Sequence, residues 1–214
     1  MIGDVLLVSE KHTRAAARIA EILARLREEK IVVAIAGESG TGKSEVAHEL
    51  RRILKSNGLL VKILHGDNYY KTMPAERSAW RRKHGLSSIG ESEYDWDTLN
   101  ENINEFRQGR RSVLPFFDLF TNQKDLLITH FKDINILIIE GLYCMKVDAD
   151  IKFFIDMTYK ETEKAQIIRG KETLDDFRKQ VLARESEVVQ THRILADYLI
   201  TRTFQIVPNT EKHK

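Results

Sequence analysis

The chain has 214 residues, 42% hydrophobic and 31% charged, and its 34 basic and 32 acidic residues leave a formal net charge of +2. A chain this long suits one ordinary domain that buries about 70% of its unfolded surface without a covalent staple. Nearly cancelled charge argues against an electrostatic nucleic-acid partner, and the single Cys144 excludes an intramolecular disulfide or a cysteine-based zinc site. No apolar run approaches the ~20 residues of a membrane span, and the N-terminus has no charged-then-apolar signal pattern. A cytoplasmic setting with no membrane partner is therefore expected.

In chain order, Ala16, Ile19, Ala20, Leu23 and Leu26 recur at helical spacing among Glu and Arg, so residues 1–30 are expected to hold an amphipathic helix. Residues 31–36 are a short β-branched run suited to a strand buried on both faces. Similar runs stand at 60–64, 134–139 and 151–155, with helical patterns at 44–55, 96–106 and 158–168. A charged helix is expected over 173–192, a last short strand near 198–201, and a frayed polar tail over 208–214. Buried strands alternating with helices predict an α/β fold, a mostly parallel β-sheet with helices on both faces. With no repeat or linker-like shift in composition, residues 1–214 are read as a single domain, with about 160–192 forming a short helical lid and the helix after it.

Directly after the first strand stands Gly37-Glu38-Ser39-Gly40-Thr41-Gly42-Lys43-Ser44, a complete G-x-x-x-x-G-K-[ST]. Glycines let the backbone turn tightly and aim successive N–H groups inward as an anion nest, and the following helix adds its N-terminal partial charge. Lys43 is expected on the β- and γ-phosphates and the Ser44 hydroxyl on Mg²⁺. This predicts the P-loop NTPase fold and a nucleoside triphosphate, ATP or GTP, with Mg²⁺. Two acidic residues follow strands at the edge where ligands of open α/β sheets bind: Asp67, in His65-Gly66-Asp67-Asn68-Tyr69-Tyr70-Lys71, and Glu140, in Ile138-Ile139-Glu140-Gly141. The alternative for each is a helix cap or solvated turn carboxylate, which their joint appearance with the glycine-rich loop disfavours.

These residues together resemble the uridine kinase and phosphoribulokinase group of P-loop kinases. The segment 67–71 is similar to D-S-Y-Y-K, Tyr94-Asp95-Trp96-Asp97 to a shortened Y-D-H-P-D, Pro115-Phe116-Phe117-Asp118 to P-V-Y-D, and Ile139-Glu140-Gly141 to L-E-G. Further on, 150–156 resembles D-I-K-I-Y-V-D and 196–200 resembles A-D-V-I-I, so the likeness runs from about residue 31 to 201. It implies an ATP-dependent transfer to a small-molecule hydroxyl. In that reading Asp67 is general base, Ser44, Asp67 and Glu140 surround Mg²⁺, and Asp95 holds acceptor hydroxyls. Tyr70 and Lys71 line the acceptor side, and Arg169 closes from the lid.

The departures from the family pattern concentrate on the acceptor. Phe117 and Asn122 stand where uridine kinases carry a Tyr and a His that read the base, and Ala165 and Gln166 replace paired lid arginines. The kinase reading survives these changes, while a pyrimidine nucleoside does not follow from it. A sugar phosphate, adenylylsulfate (from Gly66-Asp67-Asn68) or a regulatory nucleotide-binding module are the rivals, and self-association is left open. The basic stretch 77–84 reads either as a flap drawing in an anionic acceptor or as a solvated helix face with Trp80 packed inward.

Overall fold

Seven consecutive buried residues, Ile31–Gly37, form the central strand β1. Their side chains alternate between two cores. Val33 and Ile35 face one cluster, while Val32, Ala34 and Ala36 face the other, as the two-residue period of a strand requires. The computed structural model describes residues 5–162 and 175–212. Helix α1 (Glu10–Leu23) precedes β1, and α2 (Lys43–Ser56), β2 (Val61–His65), α3 (Pro74–His84) and α4 (Trp96–Arg107) follow it. A hairpin of β3 (Arg111–Asp118) and β4 (Gln123–His130) leads to β5 (Ile136–Gly141) and β6 (Ile151–Ile155). Helix α5 (Asp176–Thr191), β7 (Tyr198–Ile200) and β8 (Ile206–Pro208) complete the described elements.

The main sheet runs β2-β5-β1-β6-β7-β8, parallel throughout except for the antiparallel β7–β8 pair. On one face α1 and α2 cover the sheet through Ala16, Ile19, Val46, Leu50 and Leu54. On the other, Tyr69, Tyr70, Tyr94, Phe106, Tyr143 and Val189 build a core rich in aromatic side chains. The predicted mostly parallel α/β sheet with helices on both faces is thus the observed fold. No helix among the described residues is long and apolar enough to cross a membrane.

Several expectations need correction. The hairpin β3–β4, paired from Arg111↔His130 to Asp118↔Gln123, has no counterpart in the strands expected from sequence. β4 is almost wholly exposed, so burial imposes no alternation on its residues. Residues 77–84 do form a helix face, but Trp80 is half-buried and stacks on His84 at 4.3 Å, whereas Arg81 is the residue turned inward. Nor does the tail fray from Pro208. That residue pairs with Tyr198 in β8, and the Asn209 amide, buried, donates to the carbonyls of Arg193 and Ala196. Lys212 then reaches Asp197. The expected lid helix over 158–168 falls mostly outside the described residues; 158–162 is a turn.

Candidate active site

The glycine-rich loop sits at the carboxyl end of β1, where Gly37 pairs with Ile155 and Ala36 with Gly141. Gly42 ends it as the N-cap of α2 with φ of 97°, a left-handed conformation that costs glycine nothing. Within the loop the Glu38 carbonyl accepts from Thr41 Oγ1 at 2.8 Å and from Lys43 Nζ at 2.8 Å, which holds the lysine across the loop mouth. The Glu38 side chain, buried, points elsewhere. Its carboxylate accepts from the Tyr159 N–H at 2.6 Å, Ser186 Oγ at 2.8 Å and Gln190 Nε2 at 2.5 Å. Thr162 Oγ1 donates to the Ser39 carbonyl at 2.8 Å. The loop is therefore fastened to α5 and to the turn that leaves β6.

Beside the loop, the carboxyl ends of β2 and β5 come into register, His65 against Glu140, while Ile35 of β1 pairs with Glu140 on its other side. Glu140 Oε1 accepts from Ser44 Oγ at 3.1 Å and lies 2.6 Å from His65 Nδ1. Burial pushes the Glu140 carboxyl up, but the His65 hydrogen bond and charge, with Lys43 adding to them, prevail and hold it below the usual carboxylate range. Asp67, half-buried in the 3₁₀ turn Gly66–Tyr69, is close enough for its charge to be felt at Glu140, Tyr70 and Cys144. The two glycines preceding Asp67 and following Glu140 allow this approach. A Cβ on Gly66 would lie 2.7 Å from Tyr94 Oη, and one on Gly141 would lie 2.9 Å from both Tyr94 Oη and Cys144 Sγ.

A hydroxyl, a carboxylate kept ionised and a second carboxylate nearby form an oxygen donor set suited to a hard cation. Mg²⁺ takes one or two protein oxygens and fills its remaining positions with water and phosphate. Among the described residues no group of three or more His, Cys, Asp or Glu is gathered as a closed metal cage. Ser44, Glu140 and Asp67 therefore fit an open Mg²⁺ site completed by a nucleotide.

The residues expected on the acceptor side are dispersed around this corner. Tyr70 is buried, bridges to Tyr94, and carries the Arg77 guanidinium 3.4 Å above its ring centre. Asp95 is the N-cap of α4, its carboxylate accepting from Thr98 N at 3.2 Å and Thr98 Oγ1 at 2.8 Å. Phe117 is buried, and its N–H donates to Asn68 Oδ1, tying the hairpin to the Asp67 turn. Lys71 is exposed and its ammonium donates to the Ser92 carbonyl. Asn122 occupies the exposed β3–β4 turn with φ of 53°, a conformation asparagine tolerates better than most residues. Arg169, with Ala165, Gln166 and Lys171, lies outside the described residues.

Four residues escape sequence reasoning: His65 on Glu140, Glu38 on α5, Arg77 on Tyr70 and buried Arg81. Arg81 donates to both oxygens of Glu93 at 2.7 and 2.9 Å and to Glu185 Oε1 at 2.9 Å, joining α3 to α5 behind the aromatic cluster. His65 stands at a strand end two positions before Asp67, but nothing in the sequence sets it against Glu140.

The model of the phosphoribulokinase / uridine kinase family matches residues 32–161. The chain belongs to this family. It is similar to the uridine kinase of Ureaplasma urealyticum, 27% identical over 144 residues that cover 65% of this chain and 68% of the relative. Among solved structures it superposes on the phosphoribulokinase of Rhodobacter spheroides with a TM-score of 0.60 and 16% identity, covering 81% of this chain and 70% of that one. It likewise superposes on a possible uridine kinase from Bacillus stearothermophilus with a TM-score of 0.58 and 18% identity, covering 87% and 97%. At those identities the structural likeness carries the P-loop kinase fold, and the family match carries membership among kinases.

Proposed function

We propose that this family member is an ATP-dependent (or GTP-dependent) small-molecule kinase, acting as one domain in the cytoplasm, that moves a γ-phosphoryl group onto an acceptor hydroxyl. The observation that carries the reading is the convergence of Ser44, Glu140 and Asp67 beside Lys43 at the mouth of the glycine-rich loop. Loop amides and Lys43 hold the β- and γ-phosphates, and Ser44 and Glu140 hold Mg²⁺ with Asp67 near it. When bound, Mg²⁺ neutralises phosphate charge as transfer proceeds. His65 fixes the orientation of the Glu140 carboxylate. Asp67 accepts the proton of the acceptor hydroxyl as its oxygen bonds to phosphorus, and the bond to the β-phosphate oxygen breaks. Arg169 would supply lid charge.

For the acceptor, Arg77 favours an anionic compound such as a sugar phosphate over a neutral nucleoside. Its guanidinium is aligned by the Tyr70 ring, and its Nε and Nη2 are buried with no hydrogen-bond partner among the described residues. The test is a panel of nucleosides, sugar phosphates, pantothenate, glycerate and adenylylsulfate, incubated with Mg²⁺ and γ-labelled ATP. Label should appear as a phosphomonoester on one class, with the anionic members ahead. Nucleotide binding that alters partner association, with no acceptor labelled, would replace the kinase reading with a regulatory one.

A further inference from the structure

On the α1–α2 side of the sheet, away from the Tyr70–Tyr94 core, a cleft of about 210 Å³ opens between α2 and the outer strand β2. Its polar walls are Ser44, His48 and Arg51, one turn apart along α2, facing Lys62 and His65 of β2, with Leu6 at its rim. Leu6 is held there by its neighbour, the Leu7 N–H donating to Glu45 Oε1 at 3.1 Å.

Neither Arg51 nor Lys62 meets a carboxylate among the described residues. Burial lowers the Lys62 ammonium, and the adjacent charge of Arg51 lowers it further. The acids beside the cleft walls are already engaged: Glu140 by His65 at 2.6 Å and Ser44 at 3.1 Å, and Glu49 by Arg52 at 2.8 Å and Thr13 at 2.9 Å, with His48 reaching it only at 3.6 Å. Like charges converging in a half-buried cleft are unfavourable unless an anion joins them. A guanidinium fork pairs with phosphate oxygens as readily as with a carboxylate, and an ammonium and the His48 imidazole approaching from other sides suit a tetrahedral dianion. The volume, below the roughly 300–1,000 Å³ of sites for drug-sized ligands, limits the occupant to a phosphoryl group with a few further atoms.

We propose that this cleft is a second phosphate-binding site, separate from the glycine-rich loop, that takes inorganic phosphate or a small phosphomonoester. Two of its walls, Ser44 and His65, also face the metal corner, so an occupant would lie next to the reacting region without using the loop. The proposal does not depend on which acceptor is phosphorylated, or on turnover.

The test uses the full chain with the loop filled by Mg²⁺ and a non-hydrolysable ATP analogue. Inorganic phosphate and, separately, propyl phosphate, which has no acceptor hydroxyl, are titrated by calorimetry. Saturable binding is expected, weakened at least tenfold in both Arg51→Ala and Lys62→Met, with affinity for the ATP analogue little changed. Preference for inorganic phosphate or for the ester identifies the source of the ligand, and either supports the site. Arg51 is exposed, so its alanine variant should fold and can carry the test alone. No saturable binding to the unaltered chain, or equal affinity in Arg51→Ala, overturns the proposal.

Discussion

Glu140 is ionised against its own burial, and that has a consequence in acid. Its folded value lies below the ordinary 4.5, so its contribution to stability is complete above that value and is lost as pH falls through the depressed one. Urea midpoints measured from neutral pH down through the acid range should fall less steeply in Glu140→Gln than in the unaltered chain; parallel slopes would contradict the assignment. Next to it, Gly141→Ala drives a methyl group against Cys144 Sγ and Tyr94 Oη at 2.9 Å and the Gly66 Cα at 3.2 Å. About 1–3 kcal/mol of stability should be lost, read as a lower melting temperature. Asp67 and Glu140 were legible in the sequence because an acid just past an apolar strand announces itself. His65 was not, because its contact depends on β2 lying beside β5, and sequence order does not state which strands are neighbours.

At the scale of elements, two buried charge clusters hold the parts around the site together. Arg81 of α3 binds Glu93 and Glu185, with Arg178 3.5 Å from the latter. Burial opposes the Arg81 charge, but the Glu185 and Glu93 carboxylates prevail and raise its value. Removing one member of such a buried group strands the others, so Arg81→Ala should cost about 3–5 kcal/mol in chemical denaturation. Glu38 plays the corresponding part for the loop, α5 and the turn at Tyr159. Glu38→Ala should remove about 2–3 kcal/mol and also weaken ATP binding, whereas a variant that loses stability with unchanged ATP affinity would restrict Glu38 to the scaffold. The sequence read residues 77–84 as basic and Glu38 as one of the variable loop positions. It could not reveal either cluster, since Glu185 lies far from Arg81 along the chain, and Glu93, in the turn ahead of α4, meets Arg81 only once the chain has folded back after α3.

For the whole molecule, the apolar runs around 31–36, 134–139 and 151–155 were enough to foretell a parallel sheet, because strands buried on both faces need no alternation. The β3–β4 hairpin escaped for the opposite reason: β4 is solvated, and nothing in its pattern distinguishes it from a loop. The proposed acceptor region draws largely on that hairpin, the Asp67 turn and α3. The sequence therefore announces the nucleotide half of the site more clearly than the acceptor half. What joins the halves is Asp67, set between the Ser44–Glu140 corner and the aromatic cluster under Arg77. The direct test is Asp67→Asn, with phosphoryl transfer and ATP affinity measured on the same preparation. Transfer should fall by at least about 100-fold while ATP binds within a few-fold of the unaltered chain. Retained transfer would contradict the placing of proton abstraction at Asp67.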